Sequence, residues 1–218
     1  MLVVYLDPYF LGDPLFVPGL ARDVAARGTG LVLVHGSGER GERALESLGR
    51  MPTATHGVWH AADAEGRGAV ERAVRVLNRE ITHELNEAGV SGIGLLGSDR
   101  GLLKQVDGRV VAGRAGWLGD LASRGVVAVV AAMATVDGVE VEVDAARAAG
   151  VLADALDVPV AALTTASVAP DAALSLAEVR VPDAAALGRI RPEGEGIRVG
   201  TRPTLRDSGG PSAVLTTG

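Results

Sequence analysis

Short apolar runs at Leu2–Leu6, Leu31–Val34, Val126–Ala131 and Val158–Thr164 constrain this chain more than any other feature. A strand that is apolar on both faces has to be covered on both, so these runs demand a sheet buried between helices. Helical patterns lie between them. Pro18–Arg27 stops at Gly28, and Arg40–Leu48 is closed by Gly49. The longest, Ala69–Ala88, carries Val70, Val74, Leu77, Ile81 and Leu85 on one stripe and stops at Gly89. Asp144–Leu156 opens on a carboxylate able to cap free N–H groups, and Ala184–Arg189 is a short helix. Ile93–Leu96 adds another strand. Asp107-Gly108 and Asp137-Gly138 are two-residue hairpin signals, the first between Leu102–Gln105 and Arg109–Ala112, the second within Val136–Val143. The alternation predicts an α/β fold with a largely parallel, doubly covered sheet and two hairpin insertions. Past Ala169 the pattern weakens, and Val199–Gly218 reads as loop, with Arg-Pro and Gly-Gly-Pro breakers.

Composition removes several function classes. The 218 residues hold no cysteine, which excludes disulfides, thiolate metal sites and a cysteine nucleophile. A net charge of −6 without a basic run argues against nucleic acid or an anionic membrane as partner. The longest apolar stretch, Gly125–Thr135, is too short to span a bilayer, and Met1–Leu6 reads as a strand rather than a signal peptide. The expectation is a cytoplasmic protein.

The polar residues worth weighing are few. Leu31–Val34 runs into His35-Gly36-Ser37-Gly38, a bare turn whose backbone N–H groups could receive an anion, or which could simply join strand to helix. His35 stands beside a ligand or bonds a neighbouring carbonyl. Asn78 binds a substrate or is a buried amide satisfied by the sheet. Glu142 and Asp144, two apart, suggest Mg²⁺ or general-base chemistry, while Asp144 as a helix cap is the structural alternative. Asp99 orders its own turn. His56 and His60 lack a convincing third metal ligand. Tyr5 is a packed strand residue, Trp59 and Trp117 are lid, interface or core anchors, and Arg67, Arg72, Arg75 and Arg79 form a solvated helix face.

Three segments in order carry a resemblance: strand–His35-Gly-Ser-Gly38–helix; the Asn78 helix followed by Gly97-Ser-Asp-Arg-Gly101; and the hairpin leading to Val141-Glu-Val-Asp144, an Ala-rich helix and the strand Val160–Thr165. Over roughly residues 1–168 the chain resembles the amino acid kinase family, in particular the acetylglutamate kinases and those acting on carrier-protein-linked aminoadipate or glutamate. The resemblance implies a three-layer αβα sandwich. It implies that the N-terminal half binds an acyl amino acid, free or on a carrier protein, and that the C-terminal half binds Mg-ATP. The reaction would move a phosphoryl group onto a carboxylate, by positioning and charge neutralisation. Residues 169–218 would be a shortened segment replacing most of the nucleotide half. A homodimer through Ala69–Ala88, or a hetero-partner, is implied as well.

The match breaks where phosphate chemistry needs cations. The family's Lys-x-Gly-Gly is here Tyr5-Leu-Asp-Pro8, with an acidic residue and a donor-less proline in place of the glycines. The substrate arginine of Arg-x-Thr-Asp is missing, with His60 and Asp63 in that register. The family's Asn-x-x-Asp becomes Glu142 and Asp144, and the lysine of Gly-Gly-Met-x-x-Lys has no counterpart; the sole lysine is Lys104. The expected binding set is therefore His35, Gly36, Ser37, Gly38, His60, Asn78 and Glu142, with no nucleotide or metal ligands assigned. The expectation is a relative that binds an amino acid derivative without family-type phosphoryl transfer. Two alternatives stand. One is an active kinase using Lys104, Arg100 or Arg114, with Mg-ATP as its cofactor. The other is a cyclase, lyase or acyl transferase using His35, Glu142 or Asp144.

Overall fold

The computed structural model describes residues 1–27, 30–191 and 194–216. The proposed helix stop at Gly28 lies outside the described residues. In chain order the first elements are β1 (Leu2–Tyr5), α1 (Pro8–Leu11), α2 (Phe16–Arg27), β2 (Leu31–His35) and α3 (Glu39–Glu46). A small hairpin, β3 (Thr53–Thr55) and β4 (Val58–His60), precedes the long helix α4 (Ala64–Glu87) and β5 (Gly92–Leu96). Then come β6 (Leu103–Val106), β7 (Arg109–Ala112), α5 (Gly116–Ser123), β8 (Val127–Ala131), β9 (Met133–Val136) and β10 (Val139–Glu142). The chain continues through α6 (Ala145–Leu156), β11 (Val160–Leu163), β12 (Ala173–Leu174), α7 (Ala184–Ile190), β13 (Ile197–Gly200) and β14 (Ala213–Leu215).

The main sheet has the order β12-β14-β13-β11-β1-β2-β8-β5. Every pairing is parallel except β13 with β14. The strand period of two sorts its side chains into two cores. Val3, Tyr5, Val32, Val34, Ala128 and Val130 face α5, α6 and α7. Leu2, Val4, Leu31, Leu33, Val127 and Val129 face α2 and α4. The result is the expected αβα sandwich. The predicted hairpins are both present, and Asp107-Gly108 and Asp137-Gly138 both take positive φ, as a two-residue turn of primed type requires. They belong to a second sheet, β10-β9-β6-β7, at one end of the molecule.

The reading of 199–218 as loop is corrected. Strand β13 begins at Ile197, a 3₁₀ turn covers Arg202–Arg206, and β14 pairs antiparallel with β13 through Arg198–Val214 and Val199–Ala213. The Gly-Gly-Pro breaker is real but marks the bend between two strands, with Gly210 at φ 70°. Three-residue strands carry no periodicity of their own, and only pairing makes them visible. The β3–β4 hairpin and α5 were likewise not anticipated.

Candidate functional site

The parallel strands β1, β2, β8 and β11 end on one edge, where ligand crevices of open α/β sheets form. Strand β2 delivers His35 there, fully buried. Its Nδ1 is 2.8 Å from the Gly36 carbonyl oxygen, which can only accept, so Nδ1 carries the proton. Nε2 then accepts from Asn78 Nδ2 at 3.1 Å, and the same amide donates to Val129 O at 2.9 Å. Burial drives the His35 pKa down to about 4, leaving a neutral ring. The structure joins these two predicted residues to each other, as a link between β2, α4 and β8 beneath the turn.

The turn above them is occupied by Glu142, the last residue of β10. Its carboxylate accepts from Ser37 N–H, from Ser37 Oγ–H at 3.0 Å and from Trp59 N–H at 3.4 Å. A Cβ on Gly36 would come 2.9 Å from Glu142 Oε1, so only glycine lets the carboxylate sit so close. Gly38 takes φ 57° and ends the turn at the α3 N-terminus. Its carbonyl accepts from Trp59 Nε1 at 2.8 Å, locking the β3–β4 hairpin over the turn. Gly41, one helical turn on, has Ser37 Oγ and Trp59 Cδ1 each 2.4 Å from where a Cβ would stand. Burial raises the Glu142 pKa to about 7, against the opposing pull of the Ser37 and Trp59 hydrogen bonds. Gly36, Ser37, Gly38 and Glu142 thus converge, with Trp59 as a member that sequence reasoning had only as a lid, interface or core anchor. His60 does not join them. It is exposed on β4, with Nε2 2.8 Å from Thr55 Oγ1.

A cavity of about 560 Å³ opens beside the turn. Its walls are the loop Leu11–Pro14, Val17, Ser37–Arg40, Arg43 and, on α4, Leu77 and Glu80. Both signs of charge stand on it: Arg40 pairs with Glu80 at 2.6 Å and Arg43 with Glu39 at 2.8 Å.

Asp144 faces a different cluster from Glu142, so the two carboxylates do not combine. It caps α6 through Oδ1, which accepts from Ala146 N–H at 2.9 Å and Arg147 N–H at 3.3 Å. Its Oδ2 is 3.0 Å from Arg189 Nε, a charge contact whose N–H is not aimed at the oxygen. Arg189 also reaches Asp183 at 2.9 Å. Burial works against the guanidinium's charge, but Asp183 and Asp144 outweigh it and raise its pKa. At the end of β1, Tyr5 and Asp7 complete the group. Burial, then the neighbouring Asp7, pushes the Tyr5 hydroxyl well above its ordinary value, and burial raises Asp7. Sequence reasoning missed Arg189. Its only signal was position: it is the one basic residue between Arg180 and Arg191, on an Ala-rich helix.

Lys104 is exposed on β6, across from Thr135, and makes no ion pair among the described residues. Asp99 orders its own turn, its Oδ2 accepting from Leu96 N–H at 2.8 Å, and Asp63 caps α4 through Gly66 N–H at 2.7 Å. Among the described residues no group of three His, Asp or Glu side chains could hold a metal ion, and no helix is long and apolar enough to cross a membrane.

No protein-family model matches the chain. It is 34% identical over 176 residues to an acetylglutamate kinase of Roseiflexus sp. (strain RS-1), covering 75% of this chain and 67% of that protein. To the acetylglutamate kinase of Roseiflexus castenholzii it is 32% identical over 167 residues, covering 71% and 64%. The chain thus spans about two thirds of the length of these curated relatives. Among solved structures, the N-acetylglutamate synthase of Neisseria gonorrhoeae, complexed with coenzyme A and N-acetyl-glutamate, superposes with TM-score 0.70 at 17% identity, over 100% of this chain and 59% of that one. Aspartate kinase from Synechocystis gives 0.68 at 15%, over 100% and 40%. An isopentenyl phosphate kinase gives 0.64 at 13%, over 99% and 100%. At these identities the structural matches speak for the fold.

Proposed function

The chain belongs to the amino acid kinase family, and from that premise we propose that it binds a small amino acid derivative without transferring phosphate. One observation carries the second half: where β1 ends, the carboxylates of Asp7, Asp144 and Asp183 stand around Tyr5 with one guanidinium among the described residues, Arg189, which Asp144 and Asp183 already pair. Phosphoryl transfer is catalysed by cations and N–H donors aimed at the transferring group. Here Arg189 is already engaged by two carboxylates, Asp7 would repel a phosphate, and Pro8 has no N–H to give. Mg-ATP does not fit this cluster.

The binding half of the proposal rests on the cavity beside the glycine turn. A pocket of about 560 Å³ suits a small metabolite, and paired Arg and Glu side chains suit a ligand bearing charged and amide groups. The relatives' names make N-acetyl-L-glutamate the first probe, followed by glutamate and aminoadipate. The test is thermal denaturation with each probe, paired with an ADP-release assay. The expected outcome is a raised Tm with at least one acidic amino acid derivative and no ADP above background. ADP release that depends on the acidic probe would overturn the non-phosphorylating half. An unmoved Tm with all of them at millimolar concentration would overturn the binding half.

A further inference from the structure

The donors that make a glycine turn attractive to an anion are, in this chain, already taken from within. Ser37 N–H, Ser37 Oγ–H and Trp59 N–H all point at one carboxylate, that of Glu142, which is 9% exposed. We propose that this carboxylate is the turn's resident anion, a self-occupying contact that an incoming ligand carboxylate must displace. The inference rests on the reading that the turn is part of a ligand site. The backbone beneath Glu142 is fixed: the residue is in register with Met133, and Val143 N–H donates to Ala132 O at 2.9 Å. Displacement therefore asks only for rotation of one side chain, while the turn, held by Trp59 and Gly38, keeps its shape.

The contact is poised to respond to protons. Glu142 titrates near pH 7 because burial penalises its charge, and no other charged group contributes to that shift. The titratable side chains on the elements around it are turned elsewhere. His35 faces Asn78, His60 faces Thr55, Glu140 faces Arg75 and Ser98, Asp144 faces Arg189, and Asp7 caps α1. Above pH 7 a ligand carboxylate competes with an ionised Glu142 for the same donors. Below it, Glu142 is neutral and releases them more readily. A ligand carboxylate that takes these donors leaves Glu142 still buried, beside a second anion and without the hydrogen bonds that held its pKa down, so its pKa rises further and the ligand enters together with up to one proton taken from solvent.

Two measurements test this. The first needs no ligand: the Ser37 amide resonance is followed from pH 5 to pH 9 in the wild-type chain and in Glu142→Gln, whose amide keeps the shape and can still accept from Ser37. The wild-type resonance should titrate with a midpoint near 7 and the variant's should not; a flat wild-type profile overturns the proposal. The second is calorimetric titration with N-acetyl-L-glutamate at pH 6 and pH 8.5 in buffers of different ionisation enthalpy. Wild type should bind more tightly at pH 6, approaching tenfold per pH unit above 7 as one proton is taken up, and Glu142→Gln should bind equally at both. Binding that ignores pH and is unchanged in the variant removes the gate and leaves the ligand site standing. Absence of binding to either protein at either pH removes the ligand site and the gate with it. If the variant does not fold, the two wild-type measurements decide the question.

Discussion

Among the described residues Glu142 has three hydrogen-bond donors and no cation beside it, so ionising it inside the fold is costly. Its folded-state pKa of about 7 lies above the value of 4.5 for a free glutamate. The stabilisation tied to its neutral form is therefore whole below the unfolded value and is lost as pH rises through 7. At about 1.4 kcal/mol per pKa unit, wild type should lose about 2–3 kcal/mol relative to Glu142→Gln between pH 5 and pH 8. Urea denaturation of both proteins across that range checks it, and parallel profiles would contradict it. His35 and Asn78 make a second residue-scale case. Replacing Asn78 with Leu leaves His35 Nε2 and the Val129 carbonyl without their donor, at a cost of about 1–3 kcal/mol in the same measurement. The sequence made these residues conspicuous because polar side chains interrupt apolar elements. It did not say that His35 and Asn78 are partners, since their contact spans 43 positions. It showed Asp144 as a helix cap but left the pairing of Glu142 with Asp144 open. Residues two apart share a strand face, but β10 ends at Glu142 and Asp144 already belongs to the helix cap.

At the scale of elements, what was legible was what depends on local chemistry: apolar runs, the long α4 stripe, the Asp-Gly turns, the Asp144 cap. What was not legible depends on a neighbour. The β3–β4 hairpin is made by Trp59 reaching Gly38, and β14 exists through its pairing with β13. The C-terminal 3₁₀ turn docks on α2 through Asp23, which is 1% exposed and bonded at 2.7 Å to both Arg202 and Arg206. Replacing both arginines with Ala strands a buried carboxylate, and the loss should reach about 3 kcal/mol or more. Limited proteolysis should then cut the C-terminal segment first; an unchanged digestion pattern would contradict this. Helices α6 and α7 touch at Gly150, where a Cβ would stand 1.9 Å from the Ile190 carbonyl oxygen. Gly150→Ala must push α7 away, at about 1–3 kcal/mol. Because α7 carries Arg189, the Tyr5 hydroxyl should also shift its titration, which ultraviolet absorbance reads.

For the whole molecule, the parallel sheet brings two kinds of site to one edge and treats them differently. On the β2 side lie the glycine turn, Ser37, Trp59 and the adjoining cavity, the proposed small-ligand site. On the β1 side the position where the family resemblance calls for a lysine is held by Tyr5, with Asp7, Asp144, Asp183 and Arg189 around it. The fold was legible because alternating strand and helix patterns leave few architectures open. The charge of the β1 edge was legible in part, from Tyr5, Asp7 and Pro8, but Arg189 was not, because α7 meets Asp144 only by packing on α6, a contact between parts of the chain distant in sequence. Mg-ATP titration calorimetry on the purified chain tests this division of the edge most directly. No detectable heat of binding is expected at millimolar nucleotide; micromolar Mg-ATP binding would show that the β1 edge accepts phosphate after all.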